Sequence, residues 1–582
     1  SAETWVLDGF SPVGGITIAL GAQPDSTSLP LTAHESVDSL ASMALIDVTP
    51  GSEHLGERIP FKLSPVSRRL PGQSMDHSLV LYPSIPLTPQ ARYAVVLTRS
   101  ASTIDGSPFE PSPFLTSVLE PPQAGEAPQV AQARALLEDG VLDALASQSP
   151  PITKEDIALV FRFSVRSMDD IHRRSLSMKE QIVDRPLPSF TISSVDPGPG
   201  HVAAVVRGTW QAPNWREEGY FISEDQDGDP RITGSLDVPF VLAIPKAAED
   251  GPVPLVMFQH GSPGYAEHVV WEADLAGLAE EGFAVIGMTD TLNREVGLSL
   301  DDQNNLLFTT LIQKWRFPHF HAQTQGDMMA FLRFIEGLDS LDEVPLSGRD
   351  GVPDLDLAAP LGYVGISMGA VHGSAFLSYA PEIKAAALAV GAQRQGEQYF
   401  QGGDFLNLFP PSLAQLIPNA TPTDYWVSLT IFQMIFDHQD PHHQAQRMYR
   451  NPLEIAGTTK KASVLIVEGV GDTGVPNNCT RSLAWTMGPV PHMAPIWEAS
   501  PILEQVAGPI TANIDPETTA AFHQFVPSGT PGIPHTPGCE FEPDAHGCGQ
   551  AAPEARLQRL LFLKSAVDNP VPTITDPLSV AR

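Results

Sequence analysis

From about residue 200 to the C-terminus, short runs rich in Val, Ile and Leu alternate with helix-length segments. That alternation restricts the chain to few folds. The runs are Val202–Gly208, Val238–Ile244, Leu255–Gln259, Ala284–Met288, Gly362–Gly365, Ala385–Val390 and Val464–Glu468. Helical patterns over His268–Glu281, Gln323–Gly337 and Val371–Tyr379 separate the later ones. Strands apolar on both faces must be covered on both faces, so the pattern predicts a mostly parallel sheet between layers of helices, an α/β domain over 200–582. Residues 392–455 interrupt it with Phe400, Phe405, Phe409, Tyr425, Trp426, Phe432 and Phe436, and predict an inserted, aromatic-rich cap.

The first part of the chain has a different rhythm. Over 1–118 short apolar segments (Ile16–Leu20, Met43–Val48, Ile59–Leu63, Ser78–Tyr82, Tyr93–Thr98) are divided by Pro, Gly, Ser and Asp clusters, the spacing of an all-β sandwich. Residues 119–199 read as a linker and bridging helices, with a helix starting near Ile152 under a Thr153 cap and a strand-like Ala158–Ser167. Composition excludes some functions. Asp+Glu is 68 against Lys+Arg 34, a net charge of −34. A nucleic-acid binder needs a basic face, and so does docking on anionic lipid. No apolar run reaches the ~18 residues of a membrane span. Ser1 stands without an initiator Met and without a charged-then-apolar leader, as expected where a leader has been removed or the chain trimmed.

The chemistry centres on Gly365-Ile366-Ser367-Met368-Gly369, a G-x-S-x-G run between a strand and a helix. Its glycines permit a tight turn that lifts the Ser367 hydroxyl above the sheet, and the helix behind offers amides to an oxyanion. Acyl transfer needs at least two such donors. One is expected from the Met368 amide. The other is expected from Ser262 in His260-Gly261-Ser262-Pro263-Gly264, since Pro263 has no N–H. His260 is expected to shape that loop. A serine needs a base to take its proton, and the base needs an acid to orient it. Asp472, after the strand Val464–Glu468, is the expected acid, with Asp437 and Asp440 as alternatives that read better as solvated turn residues or helix caps. Among His492, His523, His535 and His546, the last is the expected base, because it sits just before the terminal helix Pro553–Val567. Cys539 and Cys548 bracket it, and a disulfide between them would stiffen its loop and imply an oxidising compartment.

With these residues in hand, 200–582 resembles an α/β-hydrolase of the lipase/esterase type, on H-G-S-P-G at 260–264, G-I-S-M-G at 365–369, G-D-x-x-V-P at 471–476 and His546. The stretch Pro86–Phe109 resembles the last hairpin of bacterial Ig-like modules found ahead of extracellular enzymes. The resemblance implies a Ser367–His546–Asp472 triad, an acyl-enzyme intermediate, and no cofactor or metal. It implies a secreted or extracellular (cell-surface or periplasmic) carboxylic-ester hydrolase acting on a small-molecule, lipid or polyester substrate, with the N-terminal domain available for cell-surface or polymer attachment. A serine peptidase, an acyltransferase, or a surface-binding protein with an inactive hydrolase domain remain the alternatives. Asp225, Asp227 and Asp229 alternate as in calcium loops but read better as an Asp-Gly turn. His442-His443, with His438 and Asp440 nearby, could suggest a metal but read better as a polar stretch of the insertion.

Overall fold

The computed structural model describes residues 8–69, 74–217, 221–297, 299, 316–401, 420–528, 530, 535, 536, 539 and 544–579. Of the insertion aromatics, Phe405, Phe409 and the Phe400 side chain lie outside the described residues. The chain divides into two units, one of residues 1–168 with 406–435, the other of 169–405 with 436–582.

In the first unit β1 (Ile16–Leu20), β2 (Met43–Asp47), β3 (Phe61–Arg68), β4 (Asp76–Pro83), β5 (Arg92–Thr98) and β6 (Ile157–Ser164) form two antiparallel sheets, ordered β1-β4-β3 and β2-β5-β6. Period-two alternation sorts their side chains. Leu45, Phe61, Leu79, Leu81, Val95 and Leu97 form one buried cluster. Ala44, Ile46, Ala94 and Val96 turn the other way, onto Leu115, Val130, Leu137, Val141 and Leu145 of three short helices between 113 and 146. The segment 157–164, between the modules on a sequence reading, is therefore a sheet partner of β5. The Thr153 capping box is present but closes only a single 3₁₀ turn, Lys154–Asp156, because β6 begins at once. Residues 420–435 of the insertion also belong to this unit. The Asp76 carboxylate accepts hydrogen bonds from the Thr423 amide (2.9 Å) and hydroxyl (2.7 Å), and the Arg166 guanidinium donates to the Met434 carbonyl.

The second unit is built on one sheet. Its strands are β7 (Phe190–Pro197), β8 (Val202–Asn214), β9 (Gly234–Pro245), β10 (Leu255–Gln259), β11 (Ala284–Met288), β12 (Leu361–Ile366), β13 (Ile383–Ala389), β14 (Ser463–Gly469), β15 (His492–Met493) and β16 (Gln505–Val506). After the short β17 (Ile510–Thr511), which pairs with β19 (Thr573–Ile574) in a separate ribbon, β18 (Ala520–Phe525) completes it. The order is β16-β15-β18-β14-β13-β12-β10-β11-β9-β8-β7. Neighbours from β16 to β11 run parallel, and β9, β8 and β7 add an antiparallel edge. Both faces are covered, as the continuous apolar runs predict. Phe240, Met257, Ile286, Leu388 and Ile466 enter one core, while Val241, Phe258, Val285, Ala387 and Val467 enter the other.

The terminal helix spans Pro553–Asp568. Its buried face carries Ala555, Phe562, Leu563 and Ala566, not Leu557, Leu560 and Leu561. Polar groups set that rotation. Arg559 pairs with Glu272 at 3.3 Å and Gln558 meets His523 at 3.1 Å, which turns the leucines to a half-buried flank. The Asp225–Asp229 segment is a tight turn. Asp225 Oδ1 accepts the amides of Asp227 and Asp229, and Gly228 takes a φ of 81°.

Candidate active site

Parallel strands deliver their C-terminal ends to one edge of the sheet, and the loops leaving β10, β12, β14 and β18 carry the candidate residues. Ser367 follows β12 with a φ of 54°, in the left-handed region that L-residues avoid. The surroundings hold it there. Its amide donates to the Ala389 carbonyl at 2.8 Å, at the end of β13, and its carbonyl accepts from Ala370 and Val371 in the helix Met368–Phe376. The flanking glycines are sterically required. A β-carbon on Gly365 would stand 2.5 Å from the Gly369 carbonyl oxygen, and one on Gly369 would stand 2.1 Å from that of Gln259. The Tyr363 hydroxyl donates to the Gly369 carbonyl at 2.7 Å and closes the turn.

His546 Nε2 lies 3.0 Å from Ser367 Oγ, and His546 Nδ1 lies 2.7 Å from Asp472 Oδ2. A carboxylate only accepts, so Nδ1 carries the proton and Nε2 presents its lone pair to the serine hydroxyl. Asp472, in the loop leaving β14, is buried. Its other oxygen accepts the amides of Gly474 and Val475, both at 2.8 Å, which fixes the carboxylate in the plane His546 needs. Burial alone lowers the His546 pKa, but the hydrogen bond to Asp472 and the charges of Asp472 and Asp544 outweigh it, and the net direction is upward from 6.5. Ser367 is partly exposed, so a substrate can reach it.

The position of His546 depends on residues that sequence reasoning passed over. Asp544 caps the helix Ala545–Ala551, its carboxylate accepting the amides of His546 and Gly547. The helix lies against the end of β14. A β-carbon on Gly469 would come 1.8 Å from the Ala545 carbonyl oxygen, and one on Gly549 would come 2.5 Å from Val390 Cγ1. Cys539 and Cys548 form a disulfide. The Asp two residues before His546 is a legible cap signal. The two glycines carry none, because their constraint is a contact between segments far apart in sequence.

Met368 opens its helix, so its amide has no partner within the helix. Ser262 is in the loop leaving β10, which passes close to the serine: a β-carbon on Gly261 would sit 3.0 Å from Ser367 Cβ. His260 shapes that loop. Its Nε2 accepts the Asp290 amide at 3.2 Å, which leaves Nδ1 to donate to the Gly261 carbonyl at 2.7 Å. The alternative bases do not meet Ser367. His492 and His523 are buried in β15 and β18, where burial lowers both pKa values to about 4, and His535 is exposed. Asp437 and Asp440 are fully buried, so the reading as solvated residues is corrected. Asp440 does cap a helix, Pro441–Ala445.

A serine raised on a strand–turn–helix, with an aspartate and a histidine following in chain order, is the arrangement expected from the sequence. No family model matches the chain, and no curated protein matches it. Among solved structures it is similar to acetyl xylan esterase 1 from Thermoanaerobacterium sp. JW/SL YS485 (TM-score 0.35, 10% identity, 62% of this chain and 90% of that one). It is also similar to an acetyl xylan esterase from Paenibacillus sp. R4 (0.34, 13%, 62% and 90%). A third likeness is to the Pyrococcus horikoshii acylaminoacyl peptidase (0.32, 14%, 65% and 50%).

Proposed function

We propose that the protein is a secreted serine hydrolase of carboxylic esters that works through Ser367, His546 and Asp472. The observation that carries this reading is the single imidazole bridging a strained serine and a buried carboxylate at 3.0 and 2.7 Å. His546 Nε2 takes the Ser367 proton as Oγ attacks the ester carbonyl carbon. The amides of Met368 and Ser262 hold the oxyanion. The tetrahedral intermediate expels the alcohol, which receives the proton from His546, and leaves an acyl-serine. Water then attacks, giving its proton to His546, and the carboxylic acid departs as the proton returns to Ser367. Small, lipid and polyester esters are the substrate classes of this proposal. The N-terminal unit is read as an Ig-like module that attaches the enzyme to a cell surface or polymer. The Cys539–Cys548 disulfide supports an oxidising, extracellular setting.

Ser367→Ala should lower turnover of a p-nitrophenyl ester by roughly 10⁴-fold or more with the circular dichroism unchanged. A fluorophosphonate should label Ser367 in the wild type. Unchanged turnover in the variant, or no labelling, sinks the proposal and favours a binding protein. Preferred cleavage of acyl-peptides, or transfer to an added alcohol, moves it to a peptidase or an acyltransferase.

A further inference from the structure

The turn between the helices Pro422–Phe436 and Pro441–Ala445 gathers three ligand-bearing side chains away from solvent. Asp437, His442 and His443 are 0%, 1% and 0% exposed, and one ligand atom from each lies within 4.8 Å of the others. His442 Nε2 is 3.8 Å from Asp437 Oδ1, and His443 Nε2 is 3.9 Å from Asp437 Oδ2.

The orientation of the His442 ring follows from its neighbours. Asp440 accepts the backbone amides of Arg394 (3.0 Å), Gln395 (2.7 Å) and His442 (3.1 Å), and lies 2.9 Å from His442 Nδ1. Both Asp440 oxygens already accept backbone amides, so Asp440 is the acceptor toward the ring and Nδ1 is the donor. Nε2 is the ring atom left to face the cluster. That atom is buried and makes no hydrogen bond, and it faces a carboxylate oxygen at a distance too long for one. A buried imidazole nitrogen without a hydrogen bond, set beside a carboxylate oxygen, is a pair of ligand atoms that a cation between them would satisfy.

We propose that Asp437, His442 and His443 bind one divalent transition-metal ion, zinc foremost, and that Asp440 positions His442 for it. Two imidazoles and a carboxylate suit zinc, and a carboxylate bonded to the far nitrogen of a ligating histidine is the usual outer support of such a site. Bonds of 2.0–2.1 Å put the ligand atoms of a tetrahedral ion roughly 3.4 Å apart, which a small inward movement of these side chains supplies. Through the amides of Arg394 and Gln395, Asp440 joins the site to the segment after β13, so the ion would fix the end of the insertion against the sheet domain.

The test is Co²⁺ uptake by chelator-treated full-length protein, followed by equilibrium dialysis and visible absorption. The wild type should take up about one ion per chain and show the absorption of a tetrahedral N/O site. His442→Gln and His443→Gln should abolish uptake, and Asp440→Asn should weaken it by roughly 10–100-fold. X-ray absorption of the Co²⁺-loaded wild type should find two imidazoles, a readout that holds even where a variant fails to fold. A folded wild type that takes up no Co²⁺ or Zn²⁺, uptake unaltered in folded His442→Gln, or fewer than two imidazoles around the ion would overturn the proposal. None of these readouts depends on ester turnover.

Discussion

At the residue scale the candidate site is a set of mutual constraints around His546. Its raised pKa sets the direction of the pH dependence. The base works only when neutral, so kcat/KM should rise with pH through a value above 6.5. Asp472→Asn removes the hydrogen bond and the charge that raise this pKa and leaves the burial that lowers it. The acid limb should therefore move to lower pH while kcat drops by roughly 10⁴-fold. A limb that stays put in Asp472→Asn would mean that another group titrates. For stability the sign is opposite. A histidine whose pKa is raised on folding stabilises the fold below its unfolded value, and that contribution fades as pH climbs through the folded one.

At the element scale the helix Ala545–Ala551 decides whether the base meets the serine. Three devices hold it: the Asp544 cap, the close approach of Gly469 to Ala545, and the disulfide. Asp544→Ala should cost about 1 kcal/mol, read from chemical denaturation, with Asp544→Ser restoring most of it. Gly469→Ala drives a methyl into the Ala545 carbonyl, so it should lower kcat far more than KM, the mark of a displaced base rather than a damaged binding surface. Replacing both cysteines by serine frees a short loop and should cost about 2–3 kcal/mol. An equal melting temperature in the double variant would show that the bridge adds nothing to stability.

At the scale of the whole molecule the buried histidines govern acid tolerance. Burial holds His372, His492 and His523 at about 4 and His172 and His319 at about 3. Each is neutral when folded yet binds a proton near 6.5 once unfolded. The unfolded chain takes up more protons over the window from 6.5 down to about 3–4, so stability should fall as pH drops through it. Each group contributes up to about 1.4 kcal/mol per pH unit. Denaturation midpoints between pH 7 and 5 measure this. A midpoint that does not change over that interval would contradict the assigned burial. The excess of 34 negative charges at neutral pH works the other way, since protonating carboxylates relieves repulsion only at lower pH.

Local pattern was enough to read the strand–helix alternation of 200–582, several strands of the first hundred residues, and the serine turn. Each depends on periodicity or on glycine spacing within a few residues. The candidate acid and base could be named from their places after a strand and before a helix. The approach of His546 to Ser367 and to Asp472, across separations of 179 and 74 residues, depends on β12, β14 and β18 running parallel and ending at one edge of the sheet. Two further features were invisible in sequence. Residues 420–435 pack with the N-terminal strands, and Asp437, His442 and His443 lie in the interior. Burial is a property of what covers a side chain, and the covering groups come from segments far away along the chain. The sequence by itself determined which residues have the chemistry and the local geometry for it. Only the tertiary structure decided which of them meet, because close approach is set by strand order and packing.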